Sequence, residues 1–534
     1  MTVLRTAVFI IAALAAAGAL PAQGPFNVPY ERIRDANKEP GNWLTYSRDY
    51  TGQRYSTLDL VNTSNAGRLR VAWVHQAQEA DTVETSPVVV DGIMYVTEPP
   101  NVVKALDART GRALWTYRKQ IPTDLRMCCG RVNRGVAILN DAIYYGSIDA
   151  HLIALDARTG RVRWDTPLAD YKLGFTSTGA PLAVKDKIIA GIAGGEFGIR
   201  GFLDAYDAKT GKRAWRFNTI PAKGETGNET WAGDSWKTGS ASTWVTGVFD
   251  PESNTLFWGT GNPGPDWNGD VRKGDNLYSD SLLALNPDTG ERKWHFQYTP
   301  HDEHDWDSTQ TPSLVDTVVN GVPRKLVTLA NRNAFYYALD RTNGRFIAGA
   351  PYVKQTWASG LDEAGRPMLL PNTSPTADGH LLWPSLGGGS NWYSSSYSPK
   401  TDLYYVNVKE AGAYYHKGEA DYKPGALFNG GGQRENPAEE GYGAVRALEV
   451  ATGKLRWEYR LHSPSHAGLM TTAGGLVFGS SGTAFFALDA AKGNLLWRFD
   501  TGGGIIANPI TYLNEGKQYV LIAAGHGLFV FGLD

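Results

Sequence analysis

The sequence predicts an all-β chain folded as an eight-bladed β-propeller with tryptophan-docking-type repeats. Three observations lead there. One phrase recurs eight times along the 534 residues. The segments around it alternate apolar and polar residues, as in "AIYYGSI", "KLVTLA" and "GLVFGSS". The last segment, "QYVLIAAGHGLFVFGL", supplies apolar strands of the kind that close a ring by pairing the chain's two ends. Period two is the spacing of a strand face, which disfavours a helical solenoid. Units of roughly 40–50 residues, each too small to bury its own apolar face, point to stacked propeller blades.

In chain order, the first element is "MTVLRTAVFIIAALAAAGALPAQG". One arginine precedes an apolar run from Thr6 to about Leu20, and small residues follow with a cut near Ala22. The run is short and alanine-rich for a membrane span, so residues 1–22 read as a secretory signal peptide, an uncleaved anchor being the alternative. Residues 23–534 then form a single propeller domain, exported and soluble.

The repeats come next. They are "ALDARTGRALW" (Ala105 to Trp115), "ALDARTGRVRW" (Ala154 to Trp164), "AYDAKTGKRAW" (Ala205 to Trp215), "ALNPDTGERKW" (Ala284 to Trp294), "ALEVATGKLRW" (Ala447 to Trp457) and "ALDAAKGNLLW" (Ala487 to Trp497). Weaker copies are "NTSNAGRLRVAW" (Asn62 to Trp73) and "ALDRTNGRFIAG" (Ala338 to Gly349). Each reads as strand, D-x-x-T-G turn, strand. The aspartate accepts backbone hydrogen bonds at the turn, glycine permits a positive φ, and tryptophan supplies an apolar plate between stacked units. Extended inserts are read at 218–243 and 350–440, both rich in Gly, Trp, Tyr and Asn, as suits loops that build a site on one face.

Composition narrows the function classes. A formal charge of −2 implies no nucleic-acid footprint. The two cysteines, Cys128 and Cys129, are adjacent; export favours oxidation, so a vicinal disulfide is one outcome. There is no C-x-x-C-H motif for covalent haem.

The unusual residues fall between the turn phrases, in "MCCGRVNRG", "AGGEFGIRG", "STWVTGVFD", "GTGNPGPDWNGD", "TPHDEHDWDST", "ANRNAF" and "GGGSNWY". Singly, each has a plain structural reading: Glu196 and Asn262 as turn residues, Trp244 as blade core, Arg332 as an ion-pairing residue, His301 and His304 as solvated or supporting groups. In a propeller, however, such positions converge on the central channel.

Together these motifs resemble the quinoprotein alcohol dehydrogenases of the methanol/ethanol family, which use pyrroloquinoline quinone (PQQ). The resemblance covers the mature chain, with the motifs in the family's order and spacing. It implies a vicinal disulfide, Cys128–Cys129, over one face of PQQ and Trp244 over the other, at an active site in the central channel. Glu84, Arg134, Thr178, Ser242, Arg332 and Asn391 match positions that hydrogen-bond the cofactor, and the backbone of Ala193, Gly194 and Gly195 lies beside it. Glu196 and Asn262 match metal ligands, and Asp305 matches the catalytic base that also touches the metal. Arg332 would hydrogen-bond near the PQQ carbonyl that the cation polarises. Asp307, two places after the base, matches the additional acid of lanthanide-dependent members. The expected cofactors are therefore PQQ and a lanthanide(III) ion, with Ca²⁺ as the alternative.

The expected activity is oxidation of a small-molecule alcohol in the periplasm, electrons leaving to a c-type cytochrome. No stable membrane span is expected, and a homodimer is left open. His304 stands where a tryptophan is common in the family, so the substrate-side wall is expected to be more polar, and Gly130–Arg131 replaces an acid frequent after the cysteines. Two other readings are a quinoprotein acting on sugars, polyols or larger alcohols, and a non-catalytic propeller scaffold. A scaffold has no use for the Cys–Cys, Glu196, Asn262 and Asp305 set.

Overall fold

The computed structural model describes residues 26–78, 82–439 and 441–533. The expected signal peptide at 1–22 lies outside them. Eight sheets of four antiparallel blade strands follow one another around the ring, one of them extended by a fifth strand. Blades one to five span 88–118, 137–167, 182–218, 248–297 and 313–351. Blade six is built from Ser396–Ser398, Leu403–Glu410, Tyr442–Glu449 and Leu455–Arg460, and blade seven spans 470–500. Blade eight joins the two chain ends. Its inner three strands lie within 510–532, and its outer strand is Arg70–Gln76, with Arg70 opposite Gly532 and Gln76 opposite Gly527. This closure leaves no blade edge at a ring break.

The repeated phrase forms the turn between the third and fourth strands of a blade. In blade one, Asp107 Oδ1 accepts from the backbone N–H of Arg109 and Thr110 at 2.8 and 3.2 Å, while Gly111 adopts φ +72°. The glycine serves a second purpose. A Cβ on Gly160 would lie 2.5 Å from the Trp115 ring, and one on Gly211, Gly290, Gly344 or Gly493 would meet Trp164, Trp215, Trp294 or Trp457 at 2.6–2.7 Å. Each tryptophan thus lies flat on the turn of the next blade. Most also anchor to that blade, as Trp115 Nε1 does by donating to the Ala157 carbonyl at 2.9 Å and Trp215 Nε1 to that of Pro287 at 2.9 Å.

The two weak repeats complete the ring by different means. Blade five lacks the tryptophan, and Tyr336 takes its place: its ring faces Gly453, and its hydroxyl donates to the Val450 carbonyl at 2.7 Å. Trp497 of blade seven donates to Leu69 in the N-terminal copy at 3.2 Å, and Trp73 of that copy covers Gly111 of blade one.

One expectation is corrected. The region 350–440 is not a single insert, because Ser396–Ser398 and Leu403–Glu410 within it are the first two strands of blade six. Their turn lacks the repeat phrase, which marks only the connection between strands three and four. The remaining loops carry two small sheets of their own, one pairing Ala358–Leu361 with Pro367–Leu369, the other joining His380–Leu382, Ala413–Lys417 and Gly431–Glu435. Among the described residues no helix is long and apolar enough to cross a membrane.

Candidate active site

Antiparallel blades fix where a site can form. Connections between strands one and two, and between three and four, emerge at one end of the ring. Those between strands two and three, and from one blade to the next, emerge at the other. The repeat turns occupy the first end. The motifs "MCCGRVNRG", "AGGEFGIRG", "GTGNPGPDWNGD", "TPHDEHDWDST" and "ANRNAF" all fall in the second class of connection, so strand direction alone brings them together.

Residues from all of these but "GTGNPGPDWNGD" line a cavity of about 940 Å³. Of the residues expected at the cofactor, Glu84, Cys128, Cys129, Arg134, Thr178, Ala193, Gly194, Ser242, Trp244, Arg332 and Asn391 line it. So do Glu196, Asp305 and Asp307. Gly195 and Asn262 lie just behind the wall: Gly195 opens a short 3-10 turn through Phe197, and Asn262 is buried beneath Asp307, to whose Oδ1 its backbone N–H donates at 2.8 Å. Gly194 has φ +111°, and a Cβ there would fall 2.2 Å from the Gly174 carbonyl, so only glycine lets the backbone turn into the cavity wall.

Cys128 and Cys129 are joined as a disulfide. Cys129 Sγ lies 3.5 Å from Glu196 Oε1; paired with each other, these sulfurs are not thiolate ligands. Arg134 is held by Glu84 at 2.8 Å and by the Thr178 hydroxyl at 3.1 Å. Its guanidinium lies 5.0 Å from the Trp244 ring centroid and 4.3 Å from that of Trp392. Sequence reasoning does not assign Trp392, although it follows Asn391 inside a quoted motif.

Arg332 Nη1 donates to Asp307 Oδ2 at 2.9 Å and stands 3.6 Å from Asp305 Oδ1. Trp244 Nε1 donates to the same Asp307 oxygen at 3.1 Å. Asp307 is therefore tied to three donors, and Arg332 sits closer to it than to Asp305. The Nε atoms of Arg134 and Arg332 are buried with no partner among the described residues. Unpaired guanidinium donors in a cavity wall call for an acceptor-rich ligand.

Burial raises the pKa values of the acids in and behind the wall. Burial pushes Glu196 up to about 7, with Asp307 adding to the shift. Burial likewise raises Asp305, opposed by Arg332 and reinforced by Asp307, and raises Asp266, with Glu196 adding to it. Asp305 has φ +58°, a left-handed conformation that aspartate tolerates better than most residues.

Asp266 and Asp280 are further buried acids that sequence reasoning does not single out. Both oxygens of Asp280 lack a partner among the described residues, and burial with Asp302, Asp307 and Asp305 nearby raises its pKa. Asp302, unassigned from sequence, shapes the loop: its carboxylate accepts from the backbone N–H of His304 at 3.0 Å and Trp306 at 2.7 Å. Glu303 accepts from Gly269 N–H at 3.1 Å. His304 does not contribute the polar wall expected of it. It stacks on Trp306, with ring centroids 4.3 Å apart, and its Nε2 donates to the Thr373 carbonyl at 2.9 Å.

The geometry agrees with what this chain is similar to. The family model described as glucose/ethanol/alcohol dehydrogenase, beta-propeller domain, matches residues 43–356 and 458–520. Quinoprotein alcohol dehydrogenase PedH of Pseudomonas putida is 40% identical over 546 aligned positions, spanning 97% of this chain and 91% of that protein. The solved structure of a quinohemoprotein alcohol dehydrogenase from Comamonas testosteroni superposes with a TM-score of 0.90 at 36% identity, covering 95% of this chain and 82% of that one. A europium-containing methanol dehydrogenase gives a TM-score of 0.89 at 34% identity, covering 94% and 100%. On repeats, ring, disulfide and sequence alike, the chain belongs to the PQQ-dependent quinoprotein alcohol dehydrogenase family.

Proposed function

We propose that this protein oxidises alcohols to aldehydes in the periplasm, with PQQ and a cation held in the 940 Å³ cavity and electrons passed to a c-type cytochrome. The observation that carries the reading is the meeting, in one cavity, of a vicinal disulfide, an indole and two arginines with unpaired donors. A flat ligand rich in carboxylates and carbonyls fits that lining. When bound, PQQ supplies the two-electron acceptor and the cation a Lewis acid.

The residues divide the remaining work. Cys128–Cys129 and Trp244 supply flat faces, and Arg134, Thr178, Ser242 and Asn391 the polar rim. Glu84, whose pKa burial raises against the pull of Arg134, holds that arginine in place at the rim. Asp305 takes the hydroxyl proton of the alcohol on its carboxylate; Arg332 beside it favours the ionised base. Glu196, Asn262 and Asp305 offer the hard oxygen donors a cation needs. The concentration of buried acids, Asp307 included, supports a lanthanide(III) ion over Ca²⁺, because Coulomb gain grows with cation charge.

The test is dye-linked oxidation of an alcohol panel after reconstitution with PQQ and either La³⁺ or Ca²⁺. Turnover with La³⁺, and a bound-quinone absorbance bleached by alcohol, is the expected result. Reactivation by Ca²⁺ and not La³⁺ overturns the lanthanide assignment, and absence of PQQ binding overturns the function.

A further inference from the structure

We infer that Asp266 is a positioning residue that holds the Asn262 amide with its carbonyl oxygen turned toward the cation pocket. The inference rests on the cation reading of that pocket. Asp266 is 2% exposed and absent from the cavity wall, so it touches neither substrate nor cofactor. Its Oδ1 accepts from Asn262 Nδ2 at 2.7 Å, and the same Nδ2 makes a weaker contact to the Pro263 carbonyl at 3.4 Å. An ionised carboxylate only accepts, so opposite a bound cation the amide nitrogen must face Asp266, and the amide oxygen is thereby directed away from it. Without Asp266 the two amide orientations would differ little, and half of them would aim N–H groups at a cation.

Asp266 is itself held from several sides. Asn429, with the amide orientation its neighbours require, donates to Asp266 Oδ2 and to the Glu196 carbonyl at 3.3 Å each. Phe428 N–H also donates to the Glu196 carbonyl, at 2.7 Å, and Trp267 N–H to the Asn429 carbonyl at 3.0 Å. The fully buried Arg272 donates to the carbonyls of Pro265, Asp266 and Asp302, at 3.0, 3.3 and 2.5 Å from Nη2. One network therefore ties the Asn262 loop to the backbone of Glu196 and to the stretch carrying Asp305. Groups behind a ligand that fix its orientation typically control metal affinity by about 10–100-fold.

The experiment is a double-mutant cycle read by calorimetric titration of La³⁺ into PQQ-loaded, cation-free protein. Asp266→Ala is expected to weaken La³⁺ binding about 10–100-fold. Asp266→Asn keeps an acceptor for the Asn262 amide and is expected to recover most of that loss. On an Asn262→Ala background, Asp266→Ala is expected to change affinity by no more than about twofold, since coupled residues lose their interaction together. Asp266→Leu, isosteric and free of any need for a partner, replaces the alanine variant if that one does not fold. An equal loss with and without Asn262, or no loss at all while wild type binds La³⁺, overturns the inference. A wild type that binds neither La³⁺ nor Ca²⁺ overturns the cation reading as well.

Discussion

The two ends of the ring use the same carboxylates in opposite ways. At the repeat-turn end, Asp207 sits in a D-x-x-T-G turn where the Thr210 hydroxyl and two backbone N–H groups hold its pKa below the usual value. Water and local donors satisfy it, and its work is to close a turn. At the cavity end, Glu196, Asp305 and Asp280 are pushed upward by burial and by neighbouring acids, Asp307 among them in each case. The first end is periodic and each part repeats. The second has no period, and each residue has a neighbour found nowhere else in the ring. A propeller thus separates stability from chemistry by strand direction, and changes at the two ends should have separable consequences.

The largest expected effect is at the cavity end. Asp305→Asn should lower kcat by about 10²–10⁴-fold, the range for loss of a general base, while the melting temperature stays close to wild type. A melting drop in step with the activity loss would break the separation. At the other end, Trp215→Ala removes a plate packed on Gly290 and a hydrogen bond to Pro287. It should cost about 3–5 kcal/mol in denaturant unfolding, with PQQ binding unchanged at temperatures where the variant is folded.

The third prediction follows the sign of the pKa shifts. A carboxyl whose folded pKa is raised binds more protons in the native than in the unfolded state between the two values, so stability falls as pH rises through that window. For Glu196 the window runs from the ordinary carboxylate range to about 7, and Asp305 and Asp280 act with the same sign. Cation-free protein should therefore melt higher near pH 5 than near pH 8, and La³⁺ should remove most of the difference. The turn acids, lowered in the folded state, act with the opposite sign only below about pH 5, so the interval from pH 5 to pH 8 reads the cavity end.

The smallest effect on stability is expected at the disulfide. It joins neighbouring residues, and so short a loop removes little freedom from the unfolded chain. Replacing both cysteines by alanine should shift unfolding by less than about 1 kcal/mol yet weaken PQQ retention in equilibrium dialysis. A large stability loss would assign the disulfide to the scaffold.

The repeats were legible because each carries its physics within eleven residues: an aspartate that caps, a glycine that turns, a tryptophan that docks. Tyr336 was not, since its substitution for the missing tryptophan comes from the preceding strand. The first strands of blade six were hidden because their turn lacks the phrase. At the site, Cys128, Cys129, Trp244, Glu196, Asn262 and Asp305 stood out as unusual residues outside the repeat. Asp266 looked like one more turn acid beside proline, and Asp280 like a strand-entry acid. Nothing local to either says that it is buried against a group distant in sequence, as Asp280 is against Asp302 and Asp307.

By itself, then, the sequence determined the ring, the number of its blades and the residue types at its centre, because these follow from short-range pattern and count. Only the tertiary structure decided which partners those residues keep. Asp307 is bound by Trp244, Arg332 and the Asn262 backbone, His304 is turned away onto Trp306, and Asp266 holds the Asn262 amide. These are contacts between loops of different blades, and their energies depend on burial and on distance through space, which order along the chain does not carry.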